Sequence, residues 1–321
     1  MFKFIKNLSI KSKIILILVF PFSGFLVTSG QNLISNYQDM NSYQAIYQLS
    51  TLSEKISSLV HELQKERGAS AGYLGSKGKK FNARLDSQRK STDQSLKNFQ
   101  GYLENFKLGS FDPELREKLD DADLFLSKLA NKRREISDLR MLAKDAVDYY
   151  TDTNKYLLGI IGLMSHLSSD AEISSHISAY FNFLQSKERA GIERAVMSNA
   201  FSRGGFTASW FVRFIDLVSK QEAFLSVFKV MATPEEQELY KKTVRGPAVD
   251  EVERMRKTAL DVNLDTSRSF NVDAEYWFET ISSKINLLKE VENHLSSGIQ
   301  ERTEQLAKSM RSTMIFIGRG I

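Results

Sequence analysis

The chain has 321 residues, no cysteine, only 4 prolines, and 42% hydrophobic against 26% charged residues. An apolar load that includes 21 Phe and 11 Tyr excludes a disordered chain, and the missing cysteines exclude a disulfide framework, a thiolate metal site and a cysteine nucleophile. The net charge of +5 resides in the ends: four lysines before residue 14, with Arg311 and Arg319, are six cations without an acid among them, and +5 less six leaves −1 for residues 14–310. The body therefore has no basic footprint, and no nucleic-acid partner is expected.

In chain order, residues 1–13 form a basic tail, read as cytoplasmic. No charged residue occurs from Ile14 to Gln38, and the stretch 14–34 has the length and apolar content of a membrane-spanning helix. The preceding lysines orient it with the following domain outside the cytoplasm. Residues 35–310 then read as a helical domain at the inner membrane. A first helix is predicted over 31–74. Within it Leu49, Leu52, Ile56, Leu59 and Leu63 step in a 3-4 seam. Gly75 to Gly78 read as a break.

Further helices are predicted over 80–106, 113–150 with a short piece to 167, 171–200, 206–231, 234–243, 247–260 and 272 to the end. Asp112-Pro113, Thr233-Pro234-Glu235-Glu236 and Gly246-Pro247 mark starts, with Thr233 and Glu236 as a capping box. Gly109-Ser110 and Gly204-Gly205 mark breaks. The last helix carries a second seam, Ile281, Ile285, Leu288, Leu295, Ile299 and Leu306, with Glu292 and Thr303 in two core slots. Residues 311–321 read as the start of a truncated second membrane helix. With no strand series, the expected fold is all-α: a double up-down helical bundle with long shared helices. The outer seams suit a homodimer.

No catalytic set is visible, and neither a metal nor a cofactor is expected. His61-Glu62 opens like a zinc-protease motif, but position 65 is Lys. Two segments are more informative. Arg67 shares the inward stripe of Val60 and Leu63 and precedes five small residues, Gly68 to Gly72. Arg194 shares a stripe with Tyr180, Leu184, Lys187, Gly191 and Ser198. A buried arginine is costly unless paired. Spacing alone leaves two readings open: a salt bridge to Glu66, Glu188 or Glu193, or two guanidiniums holding a planar anion in bidentate fashion.

At these residues the chain resembles the NIT family, the nitrate- and nitrite-sensing domain of bacterial receptors. The matching stretches are HELQKERGASAGYL at 61–74, Gln88-Arg89 with Thr92-Asp93, and KERAGIERA at 187–195. FSRGGF at 201–206, ATPEEQ at 232–237 and Tyr276-Trp277-Phe278 extend the match over about residues 50–300. The resemblance implies an all-helical double bundle of the kind carried by chemotaxis transducers, sensor kinases and antiterminators, binding nitrate or nitrite through arginines. Arg67 and Arg194 match the family's arginines by motif. Arg189 stands where many members have Asn. A further family arginine is matched most nearly by Arg256, with Arg254 the alternative, and Ser70 and Tyr73 are candidate pocket-lining residues. The expectation is a membrane-anchored sensor, as in a chemotaxis receptor, whose output module is absent from the chain. The competing expectation is a helical interaction scaffold without a ligand.

Overall fold

The computed structural model describes residues 9–106, 111, 113–166, 168, 170–264 and 270–319, with backbone alone at 16, 263–264 and 314–319. The expected all-α class holds: no strand occurs among the described residues. The helices are α1 (Ile10–Gly75), α2 (Asn82–Leu103), α3 (Pro113–Leu126), α4 (Leu129–Ser137), α5 (Ala143–Gly162), α6 (Ala171–Arg203), α7 (Ala208–Met231), α8 (Pro234–Thr243), α9 (Pro247–Leu264) and α10 (Ala274–Arg319). A short 3-10 turn, Leu163–His166, follows α5.

Several ends obey simple capping chemistry. Thr233 accepts from the Glu236 backbone while the Glu236 carboxylate accepts from the Thr233 backbone, closing the expected capping box on α8. The Asp170 side chain accepts from Ile173 N at 2.9 Å and starts α6. Gly204 ends α6 at φ 77°, a backbone conformation that glycine adopts without strain. Asp112 and Gly109-Ser110 lie outside the described residues.

Two expectations change. Residues 113–150 are three helices rather than one, broken near Lys128 and again at Asp138–Leu142. Leu139 takes φ 57° there, a left-handed turn written without glycine or proline. The first helix is also longer than expected, running unbroken for 66 residues through Pro21.

The chain divides into two compact units, one of Met1–Gln44 with Thr303–Ile321 and one of Ala45–Arg302. In the first, the described apolar side chains of α1 from Ile10 to Val27 are exposed, Phe20 at 79% among them. By length and composition this helix could cross a membrane, a test that core helices and signal sequences also pass. The proposed second span at 311–321 falls largely on side chains outside the description.

The second unit holds the core. The α1 seam from Leu49 to Leu63 and the α10 seam from Ile281 to Ile299 are buried throughout, and the Arg194 stripe of α6 is buried from Tyr180 to Ser198. Glu292 fills its core slot as an ion: it pairs with Lys187 of α6 and Lys289 of α10, and accepts from Ser57 of α1. Burial opposes that charge, but the two lysines hold its carboxyl below the usual range.

Candidate anion-binding site

Helices α1 and α6 approach closely at two glycines. A Cβ on Gly191 would lie 2.8 Å from Arg67 Nη2 and 3.1 Å from the Gln64 amide carbon. A Cβ on Gly68 would lie 2.9 Å from the Phe278 ring and 3.2 Å from Arg194 Nε. Each glycine thus makes room for the arginine of the opposite helix. Gly191→Ala is expected to destabilise the chain by about 1–3 kcal/mol, because Arg67 is too tightly held to move aside. Urea denaturation of that variant against wild type measures the loss, and an unchanged midpoint would refute the close approach.

Arg67 is fully buried. Its Nη1 donates to Glu188 Oε1 at 2.6 Å and to Thr151 Oγ1 at 3.1 Å, and its Nη2 to Glu188 Oε2 at 3.3 Å. Gln64 Nε2 donates to Glu188 Oε2 at 2.5 Å and Asn154 Nδ2 at 3.4 Å. Only Nε of the guanidinium is left without an acceptor.

Arg194, equally buried, is held differently. Nη1 donates to Ser282 Oγ of α10 at 2.8 Å, and the guanidinium lies over the Phe278 ring, 5.0 Å from its centroid. Nε and Nη2 have no acceptor. Among the described residues, no ion pair reaches it. Burial first, and the Arg67 charge second, pull its pKa down to about 9, with Glu62 and Glu188 opposing more weakly.

The other buried carboxylates are committed elsewhere. Glu66 is gripped by Arg133 Nε at 2.7 Å and Nη2 at 2.8 Å, and accepts from Tyr150 OH at 2.7 Å. Glu193 accepts from Arg256 Nε at 2.6 Å and Nη2 at 2.5 Å. The result is a buried cation with two free N–H directions beside a second guanidinium with one. Such a set is suited to an oxyanion acceptor.

The structure brings Arg67 and Arg194 to this place and separates the remaining predicted residues by role. Arg256 is consumed by Glu193, Gln221 and Glu253. Arg254 pairs with Glu251 at the surface. Arg189 donates to Gln185 at 2.7 Å, lies over Phe224 and lines a 660 Å³ cavity between α3, α5, α6 and α7. Thr151 and Glu188, both partners of Arg67, line that same cavity. Ser70 is buried on α1 near Tyr150. Tyr73 donates to the Ser137 carbonyl of α4 at 3.2 Å and serves the α1–α4 contact. Thr151, Gln64, Asn154 and Ser282 were not expected at the site. Their one legible signal is position on an inward helical face.

Trp277 Nε1 donates to the Arg194 carbonyl at 3.1 Å, so a fully buried indole reports on the site.

Comparison with known proteins bears on what the site is for. A family profile described as nitrate and nitrite sensing matches residues 58–300. The nitrate regulatory protein of Klebsiella oxytoca is 29% identical over 219 residues, covering 67% of this chain and 54% of that protein. The chain thus spans about half the length of this curated relative. The solved structure of the NasR transcription antiterminator shares the fold, with a TM-score of 0.74 at 24% identity, covering 88% of this chain and 81% of that one.

These relatives correct four expectations. They are a nitrate regulatory protein and a transcription antiterminator, so the reading as a membrane chemotaxis receptor does not stand. The inner-membrane location and the membrane partner fall with it, since they rested on a single apolar helix of ambiguous meaning. The exclusion of nucleic acid falls as well. It was drawn from the charge of the helical body, which carries no information about any other segment of a regulator. The family is described by what it senses rather than by a reaction. With the profile spanning most of its length, the chain belongs to the NIT family of nitrate- and nitrite-sensing domains.

Proposed function

We propose that this chain is the nitrate- or nitrite-sensing part of a regulatory protein, with the ligand held between Arg194 of α6 and Arg67 of α1. The sensing body is assigned to residues 35–310. One observation carries the reading: Arg194 is a fully buried cation with two unsatisfied N–H groups and no carboxylate. A fold of this kind tolerates such a group at a cost of several kcal/mol, which a bound anion offsets. Family membership supports nitrate or nitrite as that anion.

The free donors number three: Nε and Nη2 of Arg194, and Nε of Arg67. Charge-assisted bonds are worth about 1.5–3 kcal/mol each, so three supply at most about 9 kcal/mol, and ordering costs of about 4 kcal/mol leave roughly −5 kcal/mol. That corresponds to a Kd of about 0.2 mM. Calorimetric titration of the chain with nitrate and with nitrite is expected to show one site in that range, accompanied by a change in Trp277 emission. Absence of heat, and of any thermal shift, at millimolar nitrate and nitrite would leave the bundle as an interaction scaffold.

A further inference from the structure

The charges around the two arginines are unequal. Both oxygens of Glu188 are occupied, by Arg67, Gln64 and Asn154, and the side chain is 3% exposed. Arg67 and Glu188 therefore cancel inside the bundle. Nearby Glu62 is matched by Lys65 at 3.0 Å. His61, pushed well below its ordinary pKa by burial and by neighbouring cations, adds no charge. Two turns before Arg194 on α6, Lys187 is matched by Glu292, and Lys289 beside them is part-exposed. Among the charges closest to Arg194, what remains is its own single positive charge. A monovalent anion brings this interior to neutrality. A divalent one leaves a net negative charge in a medium that solvates it poorly.

We propose that Glu188 is the residue that selects ligand charge, admitting a monovalent oxyanion and rejecting a divalent oxyanion of the same shape. The inference rests on the reading of the arginine pair as an oxyanion site, and it assigns to Glu188 more than a structural pairing. A merely structural carboxylate would hold Arg67 in place without setting the order of preference among anions. Were both arginines uncompensated, the interior would carry two positive charges and would favour sulfate.

Perchlorate and sulfate separate charge from shape, because both are tetrahedral and of similar size. The wild-type chain and Glu188→Gln are titrated with nitrate, perchlorate and sulfate, following heat and Trp277 emission. Wild type is expected to prefer perchlorate over sulfate. In Glu188→Gln the ratio should move toward sulfate by about tenfold or more, since restoring one buried charge is worth at least one decade of binding. A perchlorate-to-sulfate ratio unchanged in Glu188→Gln overturns the proposal, as does a variant that binds nitrate but no sulfate at millimolar concentration.

A second variant covers the case in which Glu188→Gln does not fold. Ser282 accepts from Arg194 Nη1, so Ser282→Asp supplies the carboxylate that Arg194 lacks. By the same charge logic, nitrate affinity should fall by about tenfold or more while the thermal midpoint rises. Normal nitrate binding by Ser282→Asp overturns the charge-selection inference. Failure of wild type itself to bind nitrate or nitrite is a different result, one that removes the oxyanion site on which the inference stands.

Discussion

Arg67→Ala is expected to destabilise the chain by about 3–5 kcal/mol, the usual cost of removing one partner from a buried ion pair. The loss comes less from the missing contact than from what stays behind. Glu188 would keep its amide donors, Gln64 and Asn154, but lose the cation that makes its charge tolerable at 3% exposure. For a unit of this size each kcal/mol moves the thermal midpoint by about 2–4 °C, so a drop of roughly 6–20 °C is expected, together with loss of nitrate binding. Removing both charges should recover most of that stability, because buried ion pairs can be replaced by apolar side chains of similar volume. Arg67→Met with Glu188→Leu, measured by urea and thermal unfolding, is therefore expected to be far more stable than Arg67→Ala. A cost below about 1 kcal/mol for Arg67→Ala would mean that the pair is in contact with water, contrary to its burial.

The long elements were legible because helices advertise themselves by period and punctuation. The seams of α1 and α10 could be read from 3-4 spacing, and the starts at Pro113, Thr233 and Pro247 from capping chemistry. The breaks after Leu126 and Ser137 were not, since Leu139 makes its left-handed turn with no residue that announces one. The apolar stretch at the N-terminus was legible as apolar and nothing more; composition does not say what covers it. At the site, inward spacing placed Arg67 and Arg194 correctly on buried stripes. The pairing could not be read. Glu66, Glu188 and Glu193 each sit one residue from an arginine in sequence, yet they pair with Arg133, Arg67 and Arg256 on other helices. Only the folded arrangement distributes three carboxylates over three partners and leaves Arg194 with none.

Arg194→Met is expected to act with the opposite sign on stability. Methionine has nearly the length of the arginine stem, carries no charge and makes favourable sulfur contacts with an aromatic ring such as Phe278. The substitution forfeits the bond to Ser282 and a desolvated cation–π contact, together worth about 2–4 kcal/mol. It also removes an ion whose burial costs several kcal/mol and which no carboxylate offsets. The balance is expected to favour the variant by about 1–3 kcal/mol, or a rise of roughly 2–12 °C in the absence of anion. Saturating nitrate should erase the difference. Wild type gains about 2.7 kcal/mol when nitrate stands at 100 times its Kd, whereas a chain without the Arg194 charge gains nothing. Thermal melts of both proteins across a nitrate series are thus expected to start apart and converge, the variant's curve staying flat throughout. An Arg194→Met chain less stable than ligand-free wild type would show that the Arg194 charge is already compensated within the fold, and the case for an anion between the two arginines would go with it.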